Sequence, residues 1–332
     1  ADIITGANGA DIITGGAGTD SITGGAGADS ITGGTGNDTF TGGGGNDTFR
    51  VDSGSDTITD LATGDDLIVS SGATATANNV ANFVADNDTT NSGTATINAD
   101  SGGSTITMTN SASGNYTLSG GAGVDNLTGG SGADIVTGAA GNDVLIGGAG
   151  VDTINGGAGA DTLTGGAGDD EFDFASGTST EASMDKITDY QAAAADSHND
   201  KIDLITGAKG ADSSSIDVKS AVAGGGGSET VTASVSDGVV TLAGSDAGLI
   251  NTLSEWIDAV SVDGVIKAGA SDADSVGVVA FLLNGNTYVV ESNDTFDNNT
   301  ANVSIVTVIE LTGLTGVNAV ADAAAANTVL IA

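Results

Sequence analysis

The sequence predicts an all-β protein: two parallel β-solenoids, a β-rich stretch between them, and a small, mostly-β C-terminal domain carrying one helix. Three observations predict it. A nine-residue period bearing Gly and Asp fills two separate blocks, Thr and Ala alternate between the blocks, and a 3.6-residue apolar period is confined to one stretch near the C-terminus. On these signals the chain divides into residues 1–68, 69–119, 120–204 and 205–332.

The first block runs without a gap from Gly6 to Arg50 as GANGADIIT, GGAGTDSIT, GGAGADSIT, GGTGNDTFT and GGGGNDTFR. Every unit has Gly at positions 1 and 4, Asp at 6 and an apolar residue at 8. Positions 1 to 6 read as a turn, where Gly supplies backbone angles that other residues avoid. Positions 7 to 9 read as a short strand whose apolar residue points inward. Two units then make one coil of turn, strand, turn, strand, and coils stack about 4.8 Å apart. Ile13, Ile31 and Phe49 form one apolar ladder and Ile22 and Phe40 the facing one. No single coil can bury its ladder alone, so stacking is obligatory. The chain opens in mid-repeat with Ala1-Asp2-Ile3-Ile4-Thr5, which implies sequence upstream; no signal peptide is visible at this start.

The same stacking aligns the aspartates. Asp11, Asp29 and Asp47 fall in one column, Asp20 and Asp38 in the other. Bare carboxylates one coil apart repel, and the whole chain shares the problem: 44 acids face six bases, for a net charge of −38. Hard divalent cations relieve it, whereas nucleic acid and anionic membranes call for a basic patch that this chain lacks. There is no Cys for a disulfide or a thiolate site, and no apolar run long enough to span a membrane. With aromatics at only 3%, ordinary core packing is a weak source of stability.

After the block come Asp56-Thr57-Ile58-Thr59-Asp60 and Asp65-Asp66-Leu67-Ile68; Asp56 and Asp65 keep the nine-residue register. The period then lapses. Thr94-Ala95-Thr96-Ile97 and Thr105-Ile106-Thr107-Met108 read as short strands, and Gly114 to Ser119 as a degenerate unit with Tyr116 at the Asp position. The second block starts at Gly120: GGAGVDNLT, GGSGADIVT, GAAGNDVLI, GGAGVDTIN, GGAGADTLT and GGAGDDEFD. Its columns are Asp125, Asp143, Asp161 and Asp134, Asp152, Asp170. It closes with Asp185-Lys186-Ile187-Thr188-Asp189 and Asp200-Lys201-Ile202-Asp203-Leu204, after an insertion around Thr178 to Met184.

In the last segment Ser245-Asp246 can cap a helix whose Leu249, Ile250, Leu253, Trp256, Ile257 and Val260 keep a 3.6 period. Val278 to Leu283 and Thr287 to Val290 flank Asn284-Gly285-Asn286, a hairpin signal, and Val303 to Leu311 reads as a further strand.

The unit G-G-x-G-x-D-x-U-x resembles the nonapeptide of RTX calcium-binding secreted proteins. That resemblance implies parallel β-rolls holding Ca2+. Each site would take carbonyls 2 and 4 with the Asp of one turn, and carbonyls 1 and 3 with the Asp of the turn two units on. In the first array it joins Ala7, Gly9 and Asp11 to Gly24, Ala26 and Asp29. Gly16, Gly18 and Asp20 would join Gly33, Thr35 and Asp38; Gly25, Gly27 and Asp29 would join Gly42, Gly44 and Asp47. In the second array Gly121, Gly123 and Asp125 would join Gly138, Ala140 and Asp143. Gly130, Gly132 and Asp134 would join Gly147, Ala149 and Asp152. Ala139, Gly141 and Asp143 would join Gly156, Ala158 and Asp161; Gly148, Gly150 and Asp152 would join Gly165, Ala167 and Asp170. Three and four interior sites make seven ions, with Asp56 and Asp65 available for sites at the end of the first array.

The DKIDL string, Phe281 to Val290 and Ile309 to Leu314 resemble the C-terminal region of RTX-type bacterial surface-layer proteins secreted by type I systems. This implies a secreted structural subunit at the cell surface, with self-association into a lattice or filament, the type I secretion machinery and cell-surface polysaccharide as partners. Two other roles stay open: the calcium-binding secretion module of a larger exoenzyme or toxin, and an adhesin. No catalytic constellation is legible. The one His, His198, stands in a polar loop, there is no Gly-Lys-Ser/Thr, and the Gly-x-Gly strings recur every nine residues instead of opening a helix.

Overall fold

The computed structural model describes residues 1–111, 114–174, 178–179, 183–190 and 200–204, with further strands at 231–236, 239–244, 277–283, 286–292, 305–311, 320–322 and 328–331. Every regular element among the described residues is a strand. The helix expected from Ser245 onward, with Trp256, lies outside them, as do His198 and the Asn284-Gly285 turn. The chain forms two compact units, residues 1–157 with 161–170, and residues 158–160 with 171–332.

The first unit is a parallel β-solenoid. The first array supplies β1 (Ile3–Thr5), β2 (Ile12–Ala17), β3 (Ser21–Ala26), β4 (Ser30–Thr35), β5 (Thr39–Gly44), β6 (Thr48–Val51), β7 (Ser55–Ile58) and β8 (Asp66–Val69). Next come β9 (Thr74–Val80), β10 (Asn82–Val84), β11 (Thr90–Asn91), β12 (Thr94–Ala99), β13 (Thr105–Thr107) and β14 (Tyr116–Ser119). The second array adds β15 (Asn126–Ser131), β16 (Ile135–Ala140), β17 (Val144–Ala149), β18 (Thr153–Ala158) and β19 (Thr162–Ala167).

Because two units make a coil, alternate strands share a face: β1-β3-β5-β7 on one, β2-β4-β6-β8 on the other. The first face continues without a break through β9, β12, β14, β16 and β18, so the stretch between the arrays is part of the same ladder. Its nine-residue period lapses because its coils are longer. The step is 18 residues at Thr39↔Thr57, 19 at Thr57↔Thr76, 20 at Thr76↔Thr96 and 21 at Thr96↔Thr117, and returns to 18 at Thr117↔Ile135. The second face changes sheet there: β8 ends against β11, and β10 opens a new sheet, β10-β13-β15-β17-β19.

The core is two apolar ladders. Ile4, Ile22, Phe40 and Ile58 stack on one face and Ile13, Ile31, Phe49 and Leu67 on the other. Across the middle coils the first ladder runs on through Ala77, Ile97, Leu118 and Val136. Phe40 and Phe49 stack across the core with ring centroids 6.4 Å apart. The strands are longer than positions 7 to 9 alone. Pairing runs on into the glycines, as at Gly25↔Gly43 and Ala26↔Gly44, so only positions 4 to 6 turn. The absence of side chains at these glycines lets successive turns lie directly on one another.

The second unit contains β20 (Glu171–Phe174), β21 (Asp185–Ile187), β22 (Lys201–Leu204), β23 (Val231–Ser236), β24 (Val239–Gly244), β25 (Gly277–Leu283), β26 (Asn286–Ser292), β27 (Ile305–Leu311), β28 (Val320–Asp322) and β29 (Thr328–Ile331). β20 pairs in parallel with β22, whose other edge takes β29 antiparallel. β25 and β26 form the antiparallel pair expected of the hairpin, β26 pairs with β27, and β27 lies parallel to β21. Phe172 packs on Tyr190, whose hydroxyl donates to the Asp200 carbonyl at 2.9 Å.

Candidate metal centre

The turns of the solenoid carry two columns of aspartate, and one geometry repeats along them. In each after Asp11, Oδ1 accepts the backbone N–H of the residue one coil earlier. Asp29 accepts from Asp11, Asp38 from Asp20 and Asp47 from Asp29, each at 2.8 Å. In the second array Asp143 accepts from Asp125, Asp152 from Asp134 and Asp161 from Asp143 at 2.8 Å, and Asp170 from Asp152 at 2.9 Å. Asp56 and Asp65 continue the first-array columns, accepting from Asp38 at 3.0 Å and Asp47 at 2.8 Å. Asp60 accepts the N–H groups of Gly42 and Gly43 and closes a turn.

The second oxygen is different. Oδ2 of Asp20, Asp29, Asp38, Asp56, Asp134, Asp143 and Asp152 is buried with no hydrogen-bond partner among the described residues. It lies in the cradle beside the first glycine of its own unit, where the carbonyl of the first glycine one coil on also arrives. A Cβ on Gly15 would stand 2.7 Å from both Asp20 Oδ2 and the Gly33 oxygen. Asp11 and Gly24 converge in the same way at Gly6, Asp29 and Gly42 at Gly24, and Asp125 and Gly138 at Gly120. So do Asp134 and Gly147 at Gly129, Asp143 and Gly156 at Gly138, and Asp152 and Gly165 at Gly147. All seven of the expected interior sites thus bring the lower aspartate and the upper first carbonyl together. The carbonyls of positions 2 and 4 face the matching residue of the next coil, as Gly16 faces Gly34 and Gly18 faces Gly36. Those at positions 2 and 3 also accept inter-coil bonds: Ala7 from Ala26 N–H at 3.0 Å, Ala26 from Gly9 N–H at 2.5 Å.

Carboxylates buried without a compensating cation are disfavoured in the charged form. Burial, the largest cause, pushes the carboxyls of Asp56, Asp134, Asp143 and Asp152 up to about 6. The backbone N–H received by each works the other way; column neighbours raise Asp56, Asp143 and Asp152 further. Asp47 and Asp65 are raised for the same leading reason. The donor set is oxygen alone, charged and backbone, which suits a hard cation such as calcium and not a soft metal.

Between the arrays the columns carry neutral residues. On the first face Ala75 pairs with Asp56, Ala95 with Ala75, and Tyr116 with Ala95. Tyr116 donates its N–H to Asp134 Oδ1 at 2.7 Å, in the register its motif implied. On the other face Ser104 stands there, donating to Asp125 Oδ1 at 2.6 Å. Nothing in the sequence flagged Ser104, since its coil is 21 residues long and Ala99 stands where the first Gly of a unit would be. A further acidic group unites Asp66, Asp86 and Asp88, with carboxylate oxygens within 4.8 Å of one another. Burial, then a hydrogen bond with Asp86, pushes Asp66 up to about 6, while the Asp88 N–H holds Asp86 low.

A family model described as RTX calcium-binding nonapeptide repeat matches the chain four times, at residues 1–31, 23–58, 113–145 and 146–180. No curated protein sequence matches it. Among solved structures, the chain is similar to the R3 subunit of the mannuronan C5-epimerase AlgE6 from Azotobacter vinelandii. The TM-score is 0.28 and the identity 21%, over 57% of this chain and 71% of that one.

Proposed function

Residues 1–58 and 113–180 belong to the RTX calcium-binding nonapeptide repeats, and from that premise we propose that this is a secreted structural protein, a surface-layer or filament subunit, that folds and self-assembles on binding calcium. The observation that carries this reading is the column of aspartates: Oδ2 of Asp20, Asp29, Asp134, Asp143 and Asp152 is buried with no hydrogen-bond partner among the described residues, while Oδ2 of Asp11 and Asp125 accepts only a backbone N–H of its own turn, from Ala7 and Gly121. Bound between coils, calcium supplies the positive charge that the stacked carboxylates lack. Asp11, Asp20, Asp29, Asp125, Asp134, Asp143 and Asp152, each with the first-position carbonyl one coil on, are the anchors we assign to seven interior sites. Asp56 and Asp65 extend the first array.

Folding by this route is controlled from outside. Where calcium is scarce, the −38 charge keeps the chain open and able to thread a type I secretion channel; outside the cell, binding free energy becomes folding free energy. A chain with neither Pro nor Cys waits on no prolyl isomerisation and no oxidation. The string resemblances at Asp200–Leu204, Phe281–Val290 and Ile309–Leu314 support assigning residues 205–332 to secretion and assembly. They also support cell-surface polysaccharide as an anchoring partner.

Light scattering on the purified chain, first in chelator and then in millimolar calcium, tests the proposal. Growth from monomer to large ordered particles supports a lattice or filament subunit. A chain that compacts in calcium and stays monomeric rules that out in favour of a secretion module of a larger exoenzyme or toxin, or an adhesin. Equal β content by circular dichroism in chelator and calcium would remove the folding switch altogether.

A further inference from the structure

The unbroken face of the solenoid presents a grid of hydroxyls. Ser21, Thr39, Thr57, Thr76, Thr96 and Thr117 stand in direct register on β3, β5, β7, β9, β12 and β14. Their side chains are exposed or half-exposed. Two residues along each strand a second column follows: Thr23, Thr41, Thr59, Asn78, Asn98 and Ser119. Within it Thr41 and Thr59 bond at 2.8 Å, and Asn98 donates to Asn78 at 2.8 Å, so the rungs brace one another. No charged residue occupies an outward position of these six strands, on a chain of net charge −38. The opposite face is not alike. There Ile12, Arg50, Asp66 and Ile68 interrupt the outward positions of β2, β6 and β8.

This regularity is not needed for packing, because the core lies on the other side of the sheet. Nor does it suit a soluble anion or cation, since it offers no charge. The face is neutral, periodic in two directions, and rigid: β-branched threonine has few χ1 choices to lose. Rungs repeat at about 4.8 Å and the two columns lie about 6.6 Å apart along the strand. The rung spacing is close to the shorter oxygen repeat on faces of ice. We propose that this face binds crystalline water. The hydroxyls take lattice positions or hold ordered waters that do, while the threonine methyls fill the gaps between them. A neutral polysaccharide fits less well, because sugar rings are gripped by stacking on aromatic rings. All four aromatics of this unit, Phe40, Phe49, Phe83 and Tyr116, are buried.

The inference requires only that the chain be folded, and not that it form a lattice. Ice is grown slowly from a dilute solution of the full chain in millimolar calcium, with circular dichroism confirming β structure in the same buffer. The wild type is expected to enter the ice and to slow recrystallisation. A variant with Thr57→Lys and Thr76→Lys, which sets two hydrated charges on the grid, should be excluded from ice with its circular dichroism unchanged. Thr48→Lys on the opposite face should behave as wild type. Exclusion of folded wild-type protein from ice overturns the proposal, as does equal uptake of the Thr57/Thr76 variant. Retention on an insoluble neutral polysaccharide without uptake into ice overturns it in favour of a sugar surface.

Discussion

At the scale of single residues, two glycines of one turn type separate space from conformation. Gly36 has φ +132°, and a Cβ there would overlap the Gly18 carbonyl oxygen one coil below. Gly44 meets nothing within 4 Å. Gly36→Ala should therefore cost about 1–3 kcal/mol, and Gly44→Ala should stay within about 0.5 kcal/mol, as read from urea midpoints in saturating calcium. The aspartates grade in a similar way. Asp143 serves two of the proposed interior sites, one with Asp125 and one with Asp161, whereas Asp125 serves one. Calorimetric titration should find two fewer calcium ions on Asp143→Ala and one fewer on Asp125→Ala. Equal losses would show that the pairing has been assigned wrongly. Residue identity was legible in the sequence wherever the nine-residue count held. The register of Asp56 and Asp65, and of Tyr116 through its Gly-Asn-Tyr-Thr-Leu-Ser string, followed from counting alone. Ser104 did not, because a side chain can keep its place in a column while the loop feeding it changes length.

At the scale of elements, the turn tolerates one departure from its own rule. Ala139 holds φ +79° at a position where most units have Gly. A left-handed Ala costs roughly 1–2 kcal/mol, part of which the greater backbone entropy lost by Gly offsets. Ala139→Gly is thus expected to stabilise the second array by up to about 1 kcal/mol, measured as a higher thermal midpoint in calcium. A lower midpoint would mean that the Ala methyl contributes packing not evident from its exposure. The strands of the middle segment were legible as type but not as partners. Thr94–Ile97 and Thr105–Met108 alternate as strands should, and both form. Their stacking on the arrays was hidden because pairing depends on in-register backbone, while sequence periodicity reports only coil length. The break on the second face, where β11 ends one sheet and β10 begins the next, has no sequence mark either. It follows from residues 81–93 having to serve both the coil below and the coil above.

At the scale of the whole molecule, acidity and calcium act on the same oxygens. Asp56, Asp134, Asp143 and Asp152 bind a proton at about pH 6 in the fold and near 3.8 in an open chain, so the folded form holds protons more tightly. Their contribution to the stability of the calcium-free fold is fully present below pH 3.8 and is lost as pH rises through about 6. In chelator, β structure followed by circular dichroism should be strongest in acid and fade across that window; calcium should restore it at pH 7. A signal that strengthens toward pH 7 in chelator would contradict this. The neutral residues between the arrays carry the argument further. Ala75, Ala95, Tyr116 and Ser104 insulate one run of negative charge from the next, as a spacer divides a conductor. An ion entering one run relieves its immediate neighbours and leaves the other run at its full potential. Asp29→Ala should therefore shift the calcium titration of the first array and leave that of the second where it was. A single shared transition would show that the coils couple mechanically what the gap separates electrically. The solenoid is continuous as a structure and divided as a circuit.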